Sequence, residues 1–188
     1  MSAEATKTRI LDAAFREFSE HGLAGGRVDR IAKHAKCNKN LIYIYFESKE
    51  GLFATVLEER LAGVYAGTPF DVGDLPAAAG RIFDFSHQNP DVYRLLMWAT
   101  LEGHAALPLV RRQEHDRKIP LIEAEQKAGT IDLDVPPEMI LMAVTALATA
   151  WSSAFPFGVM ANPDSKLSEE TIREAVAEMV ARITGQAP

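Results

Sequence analysis

Apolar residues recur three and four positions apart along almost the whole chain, and the strict alternation of a half-buried strand is nearly absent. Over residues 5–20, Ile10, Leu11, Ala14, Phe15 and Phe18 share one face, and Lys7, Arg9, Asp12, Arg16 and Glu17 cover the other. Gly22 follows, where a left-handed residue ends a helix. The same spacing predicts short helices over 28–34 and 38–45, with Asn38 capping the second, and a longer helix that starts at Ser48 and runs to about 66. Pro69, Gly67 and Gly73 break the pattern. Helices resume over 75–88, 91–102, 107–128, 138–155 and from Ser168 to near Gly185. The expected fold is therefore all-α, with about nine helices.

Composition keeps the chain among globular proteins. Of 188 residues, 47% are apolar and 24% charged, enough for a core and too balanced for wholesale disorder. One cysteine, Cys37, excludes an intrachain disulfide scaffold and is read as a small packed residue. The N-terminal stretch is charged and amphipathic, unlike a signal peptide, so a cytoplasmic location is expected. Residues 139–161 carry no charge and are long enough to span a bilayer. Thr145, Thr149, Ser152, Ser153, Pro156 and Gly158 interrupt them, so a buried helix is expected and no membrane partner.

Charge is unevenly placed. The net charge is −6, yet residues 25–49 hold six Lys or Arg against two Asp or Glu. A basic patch on an acidic chain suits a protein that presents that end to phosphates. In the same region, two short helices joined by a turn at 35–37 fit a helix-turn-helix. The second is polar at its start, where Asn38, Lys39 and Asn40 occupy the end that reaches base edges in such motifs. Tyr43 and Tyr45 offer hydroxyls to phosphate oxygens, the alternative for each being a core aromatic. Lys49 lies in the first turn of the next helix, where backbone N–H groups and the helix dipole already favour an anion.

The stretch Asn38-Lys39-Asn40-Leu41-Ile42-Tyr43-Ile44-Tyr45-Phe46, followed by Ser48-Lys49-Glu50-Gly51-Leu52-Phe53 and preceded by Ile31-Ala32, resembles the DNA-binding domain of the tetracycline-repressor (TetR) family. The resemblance covers about residues 6–60. The family usually places Thr or Ser where Gly26 and Arg27 stand, Gly where Asn40 stands, and a polar residue where Leu41 stands. Arg27 adds a charge within reach of a phosphate, and base preference does not transfer from a relative.

The resemblance implies a DNA-binding domain over 1–53 and a larger helical ligand-binding and dimerisation domain over 54–188. It implies a homodimer on a near-palindromic operator in double-stranded DNA, acting as a ligand-responsive transcriptional regulator, most simply a repressor. Arg27, Asn38, Lys39, Asn40, Leu41, Tyr43, Tyr45 and Lys49 are the expected DNA contacts. The last two helices would pair with those of a second chain through Ala146, Ala150 and Ala154 on one and Ile172, Val176, Met179 and Ile183 on the other. A small apolar or aromatic effector would sit among Phe83, His87, Met97, Trp98, Leu101, Met142, Trp151 and Phe155, each of which is equally a core residue.

Rival readings have less to stand on. A helical enzyme would need a motif, and there is no Gly-x-Ser-x-Gly, no phosphate-binding Gly-x-x-x-x-Gly-Lys-Ser/Thr and no metal triad. His104, Glu114, His115 and Asp116 lack a recognised ligand spacing, so neither metal nor cofactor is expected. A helical interaction module without DNA binding would leave the basic stretch and the Asn-Lys-Asn helix start unexplained.

Overall fold

A computed structural model describes residues 3–104, 108–132, 134–152 and 164–186. These residues form nine helices and no strand. They are α1 (Ala3–Gly25), α2 (Val28–Ala35), α3 (Lys39–Phe46), α4 (Lys49–Gly67), α5 (Leu75–Gln88), α6 (Pro90–Leu101), α7 (Leu109–Ala128), α8 (Pro137–Thr149) and α9 (Glu169–Thr184). The helical periodicity of the sequence thus predicts the fold class and most boundaries.

Local chemistry sets the ends. Asn38 caps α3, its side-chain oxygen accepting from Asn40 N at 2.8 Å. Ser48 does the same for α4 through Gly51 N at 2.9 Å, and Ser168 for α9 through Thr171 N at 3.1 Å. Asp74 caps α5 through Ala77 N. α1 is broken at Gly22, whose φ of 68° and ψ of −175° interrupt the helix. α8 ends at Thr149, short of the stretch to 155 expected from its apolar composition. Its last turns are rich in hydroxyls turned back on the backbone: Thr145 and Thr149 donate to the carbonyls four residues earlier, and Ser152 N closes a tight turn on Thr149 O. No described helix is long and apolar enough to cross a membrane.

The chain falls into two compact units. The first runs to Gly63 and resumes over Asp91–Arg111; the second takes Val64–Pro90 and the described residues from Arg112 onward. The chain therefore passes from one to the other inside α4, at the start of α6 and inside α7.

The core of the first unit gathers Ile10, Ala14, Phe18, Ile31, Ile42, Leu52, Phe53 and Leu57 from α1 to α4, with Leu95 and Ala99 from α6. Phe18 and Phe53 meet edge to face at 5.1 Å between ring centroids. α6 is less enclosed than its largely apolar composition suggests. Val92, Leu95 and Ala99 are buried, whereas Leu101 is exposed. The core of the second unit is built from α5, α8 and α9, with Leu75, Ala79, Phe83, Val144, Ala148, Val176 and Val180 inward. Ile122 of α7 joins them. An Asp84–Arg173 pair, with both carboxylate oxygens 2.9 Å from Arg173 Nε, ties α5 to α9.

The charged first half of α7 hides one buried cation. Lys118 lies over the rings of Tyr65 and Phe70, with Nζ 4.6 and 4.8 Å from their centroids, and Glu114 is 3.5 Å away. Burial pulls its pKa down, and the Glu114 carboxylate opposes that shift.

Phe53 is fully buried against Phe18. Phe53→Ala should cost about 3–5 kcal/mol in urea unfolding, a large part of the stability of an ordinary domain. A loss under about 1 kcal/mol would show that this ring pair does not anchor the first unit.

Candidate nucleic-acid interface

α2 and α3 are joined by three residues, Lys36 to Asn38, with Lys36 in the left-handed conformation (φ 51°, ψ 48°). Its N–H and that of Cys37 close on the last carbonyls of α2, Lys33 O and Ala32 O. Ile42 and Phe46 bury one side of α3, and Tyr45 packs half-buried against the same core with its ring 6.2 Å from that of Phe46. The other side is open: Asn40, Tyr43, Ile44 and Glu47 are exposed. The helix thus turns a short stripe outward and is held by its apolar back.

The start of α2 is held in an unusual way. Its N-cap residue is Arg27, which offers no side-chain cap, and Gly26 before it has no side chain. A Cβ on Gly26 would meet the Phe18 ring at 2.7 Å and Gly22 O at 2.9 Å, so a capping side chain has no room there. The cap comes from α1 instead. The Glu17 carboxylate accepts from Arg27 N at 2.7 Å and from Arg30 Nε at 2.8 and 3.0 Å. Arg30 also donates to Gly25 O at 3.1 Å. Glu17, which its place on the helical wheel assigns to solvent, is buried. Burial alone would raise its pKa, but the Arg30 and Arg27 hydrogen bonds and the Arg30 charge outweigh it and hold the carboxyl below its ordinary range.

A second carboxylate clasps the break in α1. Glu102 accepts from Leu23 N at 2.8 Å and Ala24 N at 3.0 Å. Trp98 lies against the same turn, and a Cβ on Gly22 would come within 2.7 Å of Glu102 Oε1 and 2.8 Å of the Trp98 ring. His104 adds an edge contact to Phe53 at 5.8 Å. In the first unit, then, α6 and the turn after it brace the helix-turn-helix.

The expected DNA contacts lie as follows. Arg27, Asn38, Asn40 and Tyr43 are exposed, and Leu41 is half-buried. Lys39 is paired with Asp29 at 2.9 Å, and that hydrogen bond raises its pKa, so it stays protonated. Lys49 Nζ donates to Gly26 O at 3.4 Å. Tyr45 is the one that faces inward. By spacing alone Ile44, an apolar residue in a helical pattern, reads as core; its exposure of 71% is the largest of any hydrophobic side chain on α3.

The other expected residues divide between the units. Met97, Trp98 and Leu101 belong to the first; Phe83, His87, Met142 and Trp151 belong to the second. Phe83 is buried with the His87 ring 4.1 Å from it, and both line a cleft of about 200 Å³ with Asp84, Gln88, Glu169, Glu170 and Arg173. That cleft is more polar than an apolar effector site. Met142 is exposed. Phe155 and Ala154 lie outside the described residues. The seam on α9 is not one stripe: Val176 is fully buried in its own core, Ile172 is half-buried, and Met179 and Ile183 face outward. Ala146 on α8 is exposed, and Ala150, just past its end, is half-buried. Val176 therefore packs its own chain, on the side of α9 that Val180 shares, and Met179 lies about 60° round the helix from it.

Residues 10–56 match the family described as "Bacterial regulatory proteins, tetR family", and residues 74–182 match "Tetracyclin repressor-like, C-terminal domain". The chain belongs to the TetR family. It is 40% identical over 156 residues to the HTH-type transcriptional repressor SCO4008 of Streptomyces coelicolor, covering 81% of each chain. It is 35% identical over 150 residues to the HTH-type transcriptional repressor NicS of Pseudomonas putida, covering 71% of this chain and 69% of that one. The crystal structure of SCO4942 from Streptomyces coelicolor superposes with a TM-score of 0.86 at 34% identity, over 97% of this chain and 99% of that one. As a TetR-family protein it is a helix-turn-helix transcriptional regulator. α3 is the second helix of the helix-turn-helix, and Glu17 supplies the cap at the start of α2 that Gly26 and Arg27 do not.

Glu17→Gln should lower stability by about 1–3 kcal/mol at neutral pH. Because the folded carboxyl titrates below its ordinary value, its contribution is present above about pH 4.3 and fades as the pH falls through the folded value. The gap between wild type and Glu17→Gln in urea unfolding should therefore shrink in acid; a gap that widens in acid would contradict this cap.

Proposed function

We propose that this TetR-family regulator is a cytoplasmic repressor that binds a near-palindromic operator as a homodimer and is released by a small apolar or aromatic effector. The observation that carries the DNA part is α3: an outward stripe on a helix braced by Glu17 and Glu102, flanked by Arg27, Lys39 and Lys49. Lys49 uses one donor on Gly26 O, at the long end of the range, and retains others for a phosphate. Arg27, Asn38, Lys39 and Tyr43 would position the duplex, and Asn40 would read a base edge.

The dimer is supported by apolar residues that a single chain leaves outward in the second unit. Met139, Met142 and Ala146 of α8 and Met179 and Ile183 of α9 are exposed beside a well-filled inner face. Two such helix pairs would form a four-helix bundle and cover them. The repressor reading is supported by the two relatives named as repressors. The effector would act through the second unit, whose sequence matches the C-terminal family domain. It can release DNA only if it binds the released state more tightly than the DNA-bound one.

The test is a selection of duplexes from a random pool, followed by titration of the enriched sequence at several salt concentrations. Binding should saturate at two chains per duplex and weaken steeply with salt. Lys49→Ala should reduce the slope of log affinity against log salt by about 0.9 per chain, the contribution of one phosphate contact. A slope unchanged in Lys49→Ala would remove that contact, and a pool without enrichment would overturn the regulator reading.

A further inference from the structure

The outward stripe of α3 contains one residue that neither phosphate binding nor folding explains. Asn40, Tyr43, Ile44 and Glu47 follow helical spacing, and Ile44 is 71% exposed while Ile42, two positions earlier, is fully buried. The apolar back of α3 is complete without Ile44: Ile42, Tyr45 and Phe46 already fill the core. A β-branched hydrocarbon held outward, between two residues that can bond to DNA, has no gain in water.

We propose that Ile44 reads the C5-methyl group of a thymine in the major groove, one helical turn from the base edge read by Asn40. This rests on α3 being the recognition helix. In the major groove the thymine methyl is the apolar group among base edges, and an aliphatic side chain is its natural partner. The place of Ile44 fits. It stands four residues after Asn40, a rise of about 6 Å, or nearly two base-pair steps of about 3.4 Å. Asn40 is exposed, with its side chain free of the capping bond that its own N–H makes to Asn38. Asn pairs with adenine through N6 and N7. The half-site should therefore carry an adenine and a thymine contact about two base pairs apart. Glu47, the last of the stripe, stands past the helix end with a φ of 67°.

The test replaces thymines of the selected operator one at a time with deoxyuridine, which removes only the methyl group. It measures the affinity of wild type, Ile44→Val and Ile44→Ala for each duplex. At one thymine per half-site, uracil should weaken wild-type binding about four-fold, the value of one buried methyl-sized group. Ile44→Val should keep most of that discrimination, and Ile44→Ala should bind both duplexes equally. Ile44 is exposed, so the variants should fold as wild type does, which circular dichroism checks. If no thymine-to-uracil change weakens wild type, or if Ile44→Ala discriminates as well as wild type, the proposal is overturned while the regulator reading stands. A pool that yields no enriched operator overturns both.

Discussion

The helix-turn-helix depends on one buried carboxylate. Glu17 is buried and accepts from the backbone N–H of Arg27, the residue before α2, and from the Arg30 guanidinium. A buried charge without partners would cost several kcal/mol, and here each oxygen has at least one donor. The same carboxylate fixes where α2 begins, and through the three-residue turn it fixes where α3 begins. With Gly26 pressed on the Phe18 ring, there is no space for a side-chain cap of the usual kind. The departures at 26 and 27 and the burial of Glu17 are thus one adjustment.

Glu102 does for the end of α1 what Glu17 does for the start of α2. One carboxylate comes from α1 and the other from the turn after α6, and each accepts from backbone N–H groups beside a helix end or break. The first unit therefore holds its helix-turn-helix from two directions, with α6 as part of its core although it follows α5 in the chain. The covalent crossings inside α4, before α6 and inside α7 give the second unit three connections to that frame. A regulator needs such connections if a ligand in one part is to alter DNA affinity in another.

Much of this was legible in the sequence because helical spacing and turn chemistry are local. Asn38, Ser48 and Ser168 cap as their side chains predict. Spacing does not show surroundings that come from distant parts of the chain. Glu17 sits on a polar face of α1 by spacing alone, yet Arg30 and the open end of α2 draw it inward. Lys118 stands in a charged run, yet Tyr65 and Phe70 cover it. Leu101 and Ile44 are apolar in helical patterns and nonetheless exposed. Val176 shares an apolar seam with Ile172, Met179 and Ile183 by spacing, yet it is buried within its own chain while Met179, about 60° round the helix, is exposed. Periodicity locates the faces of a helix, but it does not say whether the neighbour is core, a partner chain or DNA.

We propose that two copies of α3 enter successive major grooves of one operator. Hydroxyl-radical footprinting of the selected duplex tests it most directly. The account predicts two protected patches on one face, about one helical turn of 34 Å apart and related by the operator's two-fold axis. A single patch, or two patches at a spacing that is not a whole number of turns, would contradict it.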